Sequence, residues 1–195
     1  MARPFAEELQ TIRKQVHELF IDSAPTDEFK LAAEQVVMVL KEVLGIELLC
    51  LLRYERHYYL ARRSNLDSVK REFLKQAKGE WAYADEVAER IAQLGGEPDF
   101  DPETLFGRGH LEGSEGISLR SILREELAAE RITSAIYADI ARWLGDKDPV
   151  SRRLIERLLE KEDERIEDLI SLLLGRLVGD DNGNTPTGGI ASGAH

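Results

Sequence analysis

Apolar residues recur at steps of three and four along most of the chain. Phe5, Leu9, Ile12, Val16 and Phe20 form one stripe, which predicts a short amphipathic helix over residues 4–21. Ser23-Ala24-Pro25-Thr26 breaks the pattern and places Thr26 as an N-cap, so a long helix is expected from about residue 27 to 63. A break at residues 63–67 leads into a second long helix, about 67–94, closed by Gly95-Gly96. Residues 97–116 hold two prolines and four glycines and read as a connection, with a helical turn opened by Asp101-Pro102. A third long helix is expected over about 117–144, stopping at Gly145, and Asp148-Pro149 then opens a fourth that runs to about 178.

Connection lengths set the topology. The links between the first and second long helices, and between the third and fourth, are short, so each pair is an antiparallel hairpin. The middle link of about 20 residues reaches roughly 66 Å when extended, whereas a helix of about 28 residues is roughly 42 Å long. One link can therefore traverse the whole bundle. The expectation is an all-α, four-helix bundle with one long crossover over residues 26–179, preceded by an N-terminal amphipathic helix within 1–25. Residues 180–195, rich in Gly, Asn, Thr and Ser, are read as a disordered tail.

Each long helix carries one acid inside its apolar seam. Around Glu80, the positions at −7, −3, +4, +7 and +11 are Phe73, Ala77, Ala84, Val87 and Ile91. The same ruler gives Leu40, Leu44, Leu51, Tyr54 and Tyr58 around Glu47. Around Glu130 it gives Leu123, Leu127, Ser134, Tyr137 and Ala141, and around Glu162 Ile155, Leu159, Ile166, Leu169 and Leu173. Glu47 and Glu80 are 33 residues apart, Glu130 and Glu162 are 32 apart, and in short-looped hairpins such pairs sit at matching heights. Four carboxylates converging in a dry core cannot all stay ionised without compensation. A hard cation such as iron or manganese supplies it. The alternative is that these acids are protonated, paired with arginine or turned to the bundle edge.

Composition narrows the function. The formal net charge of −11 and a final sixteen residues without Lys or Arg disfavour nucleic acid as a partner. There is no apolar run of membrane-spanning length and no signal-like N-terminus. A single cysteine, Cys50, excludes an internal disulfide framework and fits a cytoplasmic location.

The stretches GIELLCLLRYERHYYLA, EFLKQAKGEWAYADEVAERIAQLGGEP, EELAAERITSAIYADIARWLGDKDPVSRR and LLEKEDERIEDLISLL resemble the four helices of the bacterioferritin branch of the ferritin-like superfamily, over roughly residues 30–178. AERIAQLGGEPDF and GDKDPVSRRLIE carry the likeness most clearly. The resemblance implies a two-iron site in which two helices each give a lone Glu and two each give Glu-x-x-His. The lone positions fall on Glu47 and Glu130, the others on Glu80-x-x-Tyr83 and Glu162-x-x-Arg165, so both histidines are replaced. His17, His110 and His195 lie in the N-terminal helix, the crossover and the tail. Tyr54 and His57 match a Tyr and a His on the inner surface of family members. Tyr54 is expected to hydrogen-bond a core carboxylate, and His57 to be an interior histidine and not a ligand. Tyr83 is expected to hydrogen-bond a Glu, with phenolate ligation of ferric iron as the second reading. Arg165 cannot ligate a metal; turned inward it replaces one metal charge, turned outward it leaves an all-carboxylate site.

The family's haem-binding Met is matched by Trp81, so no haem is expected. Family members assemble, and a homo-oligomer of at least two chains, packed along the first two long helices, is the corresponding expectation. The leading functional reading is an iron-binding protein with an altered carboxylate site, oxidising or storing ferrous iron; ferroxidase activity follows only if the four-Glu site binds iron. The alternative is a non-catalytic structural or interaction subunit in which Arg165 and Tyr83 replace the metal. A metal-dependent oxidase of a small organic substrate is a third, with no pocket in the sequence to support it.

Overall fold

A computed structural model describes residues 5–22, 33–62, 67–108 and 118–181. Six helices are present: α1 (Phe5–Asp22), α2 (Ala33–Ala61), α3 (Asp67–Gln93), α4 (Pro102–Arg108), α5 (Leu119–Leu144) and α6 (Pro149–Asp181). Thr26, the loop residues 63–66, His110 and residues 182–195 lie outside the described residues. The fourth long helix continues past its expected end at about 178 to Asp181. Glycines lower helix propensity by only about 1 kcal/mol each, and a Cβ added at Gly175 would meet nothing within 4 Å, so no packing forces a stop there.

Local chemistry sets the other ends. At the end of α3, Gly95 N–H donates to Ala92 and Gly96 N–H to Ile91, closing the helix with a left-handed turn at Gly95, φ 82°. Gly96 is required for a second reason: a Cβ there would sit 2.6 Å from Val37 Cγ1 on α2. Ser118 caps α5 by accepting from Ser121 N–H at 3.1 Å. Asp148 caps α6 by accepting from Ser151 N–H at 3.1 Å, and Pro149 occupies the first helical position. Arg90 of α3 donates to the same Asp148 carboxylate, tying the two helix ends together.

α2 packs on α3 and α5 on α6 as the two hairpins, with α4 in the crossover resting on α2. α3 and α6 run antiparallel, as Arg90–Asp148, Glu86–Arg157 and Lys75–Asp168 show in succession. α2 and α5 do likewise through Glu47–Tyr137 and Arg53–Glu126.

α1 belongs to this same body. Over residues 43–50, α2 is apolar all round except for Glu47, and every one of these residues is buried. α1 supplies the cover by lying against α2 and α5 with Phe5, Leu9, Ile12 and Val16 buried. Asp139 of α5 accepts from Arg13 Nη2 at 2.8 Å and meets His17 Nε2 at 3.0 Å, while Phe20 stacks on Trp143 at 4.8 Å. Burial pushes the Asp139 carboxyl upward in pKa, but hydrogen bonds from Arg13 and His17 and the charges of Arg13 and Arg142 outweigh it and hold the group below the usual range.

Candidate metal centre

Helical periodicity puts Glu47, Glu80, Glu130 and Glu162 on the inward faces of α2, α3, α5 and α6, and all four are 1–2% exposed. Glu47, Glu80 and Glu162 each bring one carboxylate oxygen to within 4.8 Å of the others. The Glu130 carboxylate faces Glu162, and Glu80 faces Glu47.

Two tyrosines cross between α2 and α5. Tyr54 donates to Glu130 Oε1, and Tyr137 donates to Glu47 Oε1. Each tyrosine stands seven residues after the glutamate on its own helix and reaches the glutamate on the other. This pairwise exchange was detectable from the repeated Glu-x6-Tyr spacing, although Tyr137 attracts no notice on one helix taken alone. Burial pushes both phenols well above their ordinary pKa, and the facing carboxylates push further, so both remain proton donors.

Arg165 turns inward. It is 3% exposed; its Nη1 lies 2.6 Å from Glu162 Oε1 and 2.7 Å from Glu80 Oε1, and its Nε donates to Gln76 Oε1 at 2.9 Å. The outward, snorkelling alternative is not what the chain adopts. Gln76 explains the choice, because this buried amide one turn before Glu80 holds the guanidinium by its third edge. Burial works against the Arg165 charge, but the carboxylates of Glu162, Glu80, Glu130 and Glu47 raise its pKa well above the ordinary value.

Tyr83 departs from expectation. It does not hydrogen-bond Glu80; it lies half-buried with its ring 5.5 Å from the Arg165 guanidinium carbon. The guanidinium already occupies the carboxylate oxygens that its hydroxyl would reach, so the ring face meets the cation instead. His57 is buried away from the four glutamates, with Nδ1 3.0 Å from Glu126 Oε1, and Arg53 donates to the same oxygen at 2.5 Å. Burial raises the Glu126 pKa, but Arg53 and His57 together outweigh it and lower the group below its ordinary value. In this second buried cluster the Glu126 carboxylate is matched by the Arg53 guanidinium. Phe5 of α1 lies over Arg53 at 4.0 Å and covers it.

The four-glutamate cluster is not closed. Glu47 Oε2, Glu130 Oε2 and Glu162 Oε2 meet no hydrogen-bond donor, and Glu80 Oε1 has only the unaligned ion pair with Arg165. In the metal-free chain such oxygens call for shared protons, buried water or a cation. The pKa directions agree. Burial raises Glu80, with Arg165 pulling it down and Glu47 and Glu162 pushing it up; burial raises Glu162 and, less strongly, Glu47.

All-oxygen donors from four helices fit iron or another hard divalent ion. The thiol of Cys50, one turn beyond Glu47, is pushed well above its ordinary pKa by burial and by all four carboxylates, and remains a neutral neighbour.

Residues 38–176 match the family model described as ferritin-like domain. Among solved structures, the bacterioferritin-related dodecameric thioferritin of Bacteroides fragilis aligns with a TM-score of 0.70 at 20% identity, covering 89% of this chain and 99% of that one. The bacterioferritin of Desulfovibrio desulfuricans, described with a diiron site, aligns with a TM-score of 0.69 at 23% identity, covering 84% and 96%.

Proposed function

The chain belongs to the ferritin-like domain family, and from that premise we propose that it binds iron at the four-glutamate cluster, one divalent ion at a time while Arg165 is inward. The observation that carries this is the set of buried carboxylate oxygens without a donor. Glu47, Glu80 and Glu162 would hold the ion, with Glu130 beside them. Iron held there supplies the ferrous–ferric couple on which oxidation or storage depends. Tyr54 and Tyr137 orient the glutamates of the facing helices, and Arg165 fixes Glu80 and Glu162.

Charge balance favours a single ion. One divalent ion with Arg165 offsets most of the charge of the four carboxylates. Any ion held by Glu80 and Glu162 stands near Arg165, and a divalent ion about 4 Å from a guanidinium is repelled by roughly 8 kcal/mol at an effective dielectric near 20. A second ion adds that repulsion again and turns the net charge of the core positive. A second reading, a non-catalytic structural subunit, is favoured by one observation: Arg165 already pairs with two of the glutamates and rests against Tyr83.

The same proposal extends to assembly. Met38, Leu52 and Tyr59 at heptad spacing on α2, and Trp81 on α3, are exposed and suit a homo-oligomer packed along these helices. The bundle over 26–179 would be its repeating unit, with α1 on one side and the tail beyond. None of the described helices is long and apolar enough to cross a membrane.

Proton linkage tests the proposal. The raised pKa values mean that the folded, metal-free chain binds more protons than the unfolded one above the ordinary carboxyl value of 4.5. The stability these groups contribute is full at low pH and is lost as pH rises through their folded values. Glu126, Asp139 and Asp148, with lowered values, act oppositely and only in the more acidic range. The metal-free protein is expected to melt at lower temperature at about pH 8 than at about pH 5.5, and anaerobic Fe(II) to remove most of that fall. A fall that Fe(II) leaves untouched counts for the structural reading.

A further inference from the structure

On the outer side of Arg165, between α3 and α6, lies a cavity of about 190 Å³ lined by Arg165, Gln76, Gly79 and Tyr83 and by two ion pairs, Lys75–Asp168 and Lys161–Glu164, whose lysines must swing out to solvent before the acids can accept another cation. It is open because residue 79 is glycine. A Cβ there would lie 3.6 Å from Tyr83 Cε2 and 3.7 Å from Arg165 Nη2, so any longer side chain would fill the space between ring and guanidinium. Glycine within a helix is unfavourable; here its missing side chain preserves the cavity.

Arg165 uses Nη1 and Nε on Glu162, Glu80 and Gln76, while Nη2 borders this space. The cavity offers acceptors for a guanidinium: the Tyr83 ring face and the carboxylates of Asp168 and Glu164. Those acids are now held by lysines, Asp168 by Lys75 at 2.7 Å and Glu164 by Lys161 at 2.7 Å. Both lysines are about half exposed, and such pairs exchange at little cost.

We infer that Arg165 has two seats and sets the occupancy of the metal centre. In its inner seat it spans Glu80 and Glu162 and admits one ion; in its outer seat, against Tyr83, Asp168 and Glu164, it frees both carboxylates for a second. The inference rests on the single-ion reading above. Its substance is separate: a tethered cation that competes with the second ion and has a place to retreat to. Arg165 Nη1 sits on Glu80 Oε1 and Glu162 Oε1, so a second ion that draws on those oxygens cannot share the inner seat with it.

Zinc, which undergoes no redox change, is the probe. Calorimetric titration of the metal-free full chain with Zn(II) is expected to show one tight ion and a weaker second. Gly79→Leu, which fills the outer seat, leaves the first ion unchanged and weakens the second by about tenfold or more. In an Arg165→Met background, Gly79→Leu has no effect on either ion. A crystal structure of the wild type saturated with Zn(II) gives an independent readout, with Arg165 against Tyr83 when two ions are bound. Arg165 remaining between Glu80 and Glu162 at two ions per chain overturns the inference. So does an equal effect of Gly79→Leu in both backgrounds, or a single ion at saturation in every protein. That last result leaves the single-ion reading standing. No binding at all in the wild type removes both.

Discussion

Arg165→Met is expected to lower the unfolding free energy of the metal-free protein by about 3 to 5 kcal/mol, the usual cost of stripping one partner from a buried ion pair. For a chain of this size that is a fall in Tm of roughly 6 to 20 °C. The methionine keeps most of the arginine's length and apolar stem, so packing loss is small and the effect reports charge. Glu80 and Glu162 lose the one cation that pairs with them among the described residues, and Gln76 loses the Arg165 Nε donor. Protonation offers those acids partial relief, so the deficit is larger at about pH 8 than at about pH 5.5. Divalent metal is expected to recover more stability in the variant than in the wild type, because the vacated position then accepts an ion. Scanning calorimetry with and without Zn(II) measures all three effects. A variant as stable as the wild type across this range contradicts the role given to Arg165.

Deleting residues 1–22 is expected to have a larger effect still. Phe5, Leu9, Ile12 and Val16 of α1 are at most 8% exposed. At about 1.5 to 3 kcal/mol for each buried apolar side chain, their removal forfeits roughly 6 to 12 kcal/mol, which is comparable to the whole stability of an ordinary domain. The loss is concentrated on the all-round apolar part of α2 and on the Arg53–Glu126 pair beneath Phe5, which become exposed. The truncated chain is expected to aggregate or to fold only partly, seen as loss of soluble yield and of the cooperative melt followed by circular dichroism. A soluble truncated bundle with an unchanged melt would show that α1 is an appendage and not part of the core.

Much of the architecture was legible in the sequence because it depends on local rules. Asp148-Pro149 and Gly95-Gly96 act as helix start and stop signals wherever they occur, and a seam of apolar residues flanking one glutamate fixes which face turns inward. What the sequence left open depended on a neighbouring helix. Arg165 could have snorkelled outward; Gln76 on α3 holds it in. Tyr83 was placed by its spacing from Glu80, but its rotation follows from the guanidinium beside it and from the absence of a side chain at Gly79. The acceptor for the stripe of α1 was not encoded in α1, although the run over 43–50 of α2, apolar but for Glu47, shows in retrospect that an additional layer had to lie there. Tyr137 lacked a local signal and gains meaning only beside Tyr54.

The central claim is that the four-glutamate cluster holds metal, with Arg165 as its resident positive charge. Iron per chain, determined by elemental analysis after anaerobic Fe(II) loading and desalting, tests it most directly, with Glu80→Ala as the comparison. That variant keeps the Arg165–Glu162 pair and so should remain folded. About one iron per chain is expected in the wild type and almost none in Glu80→Ala. No iron in the wild type, or the same amount in both proteins, would contradict it.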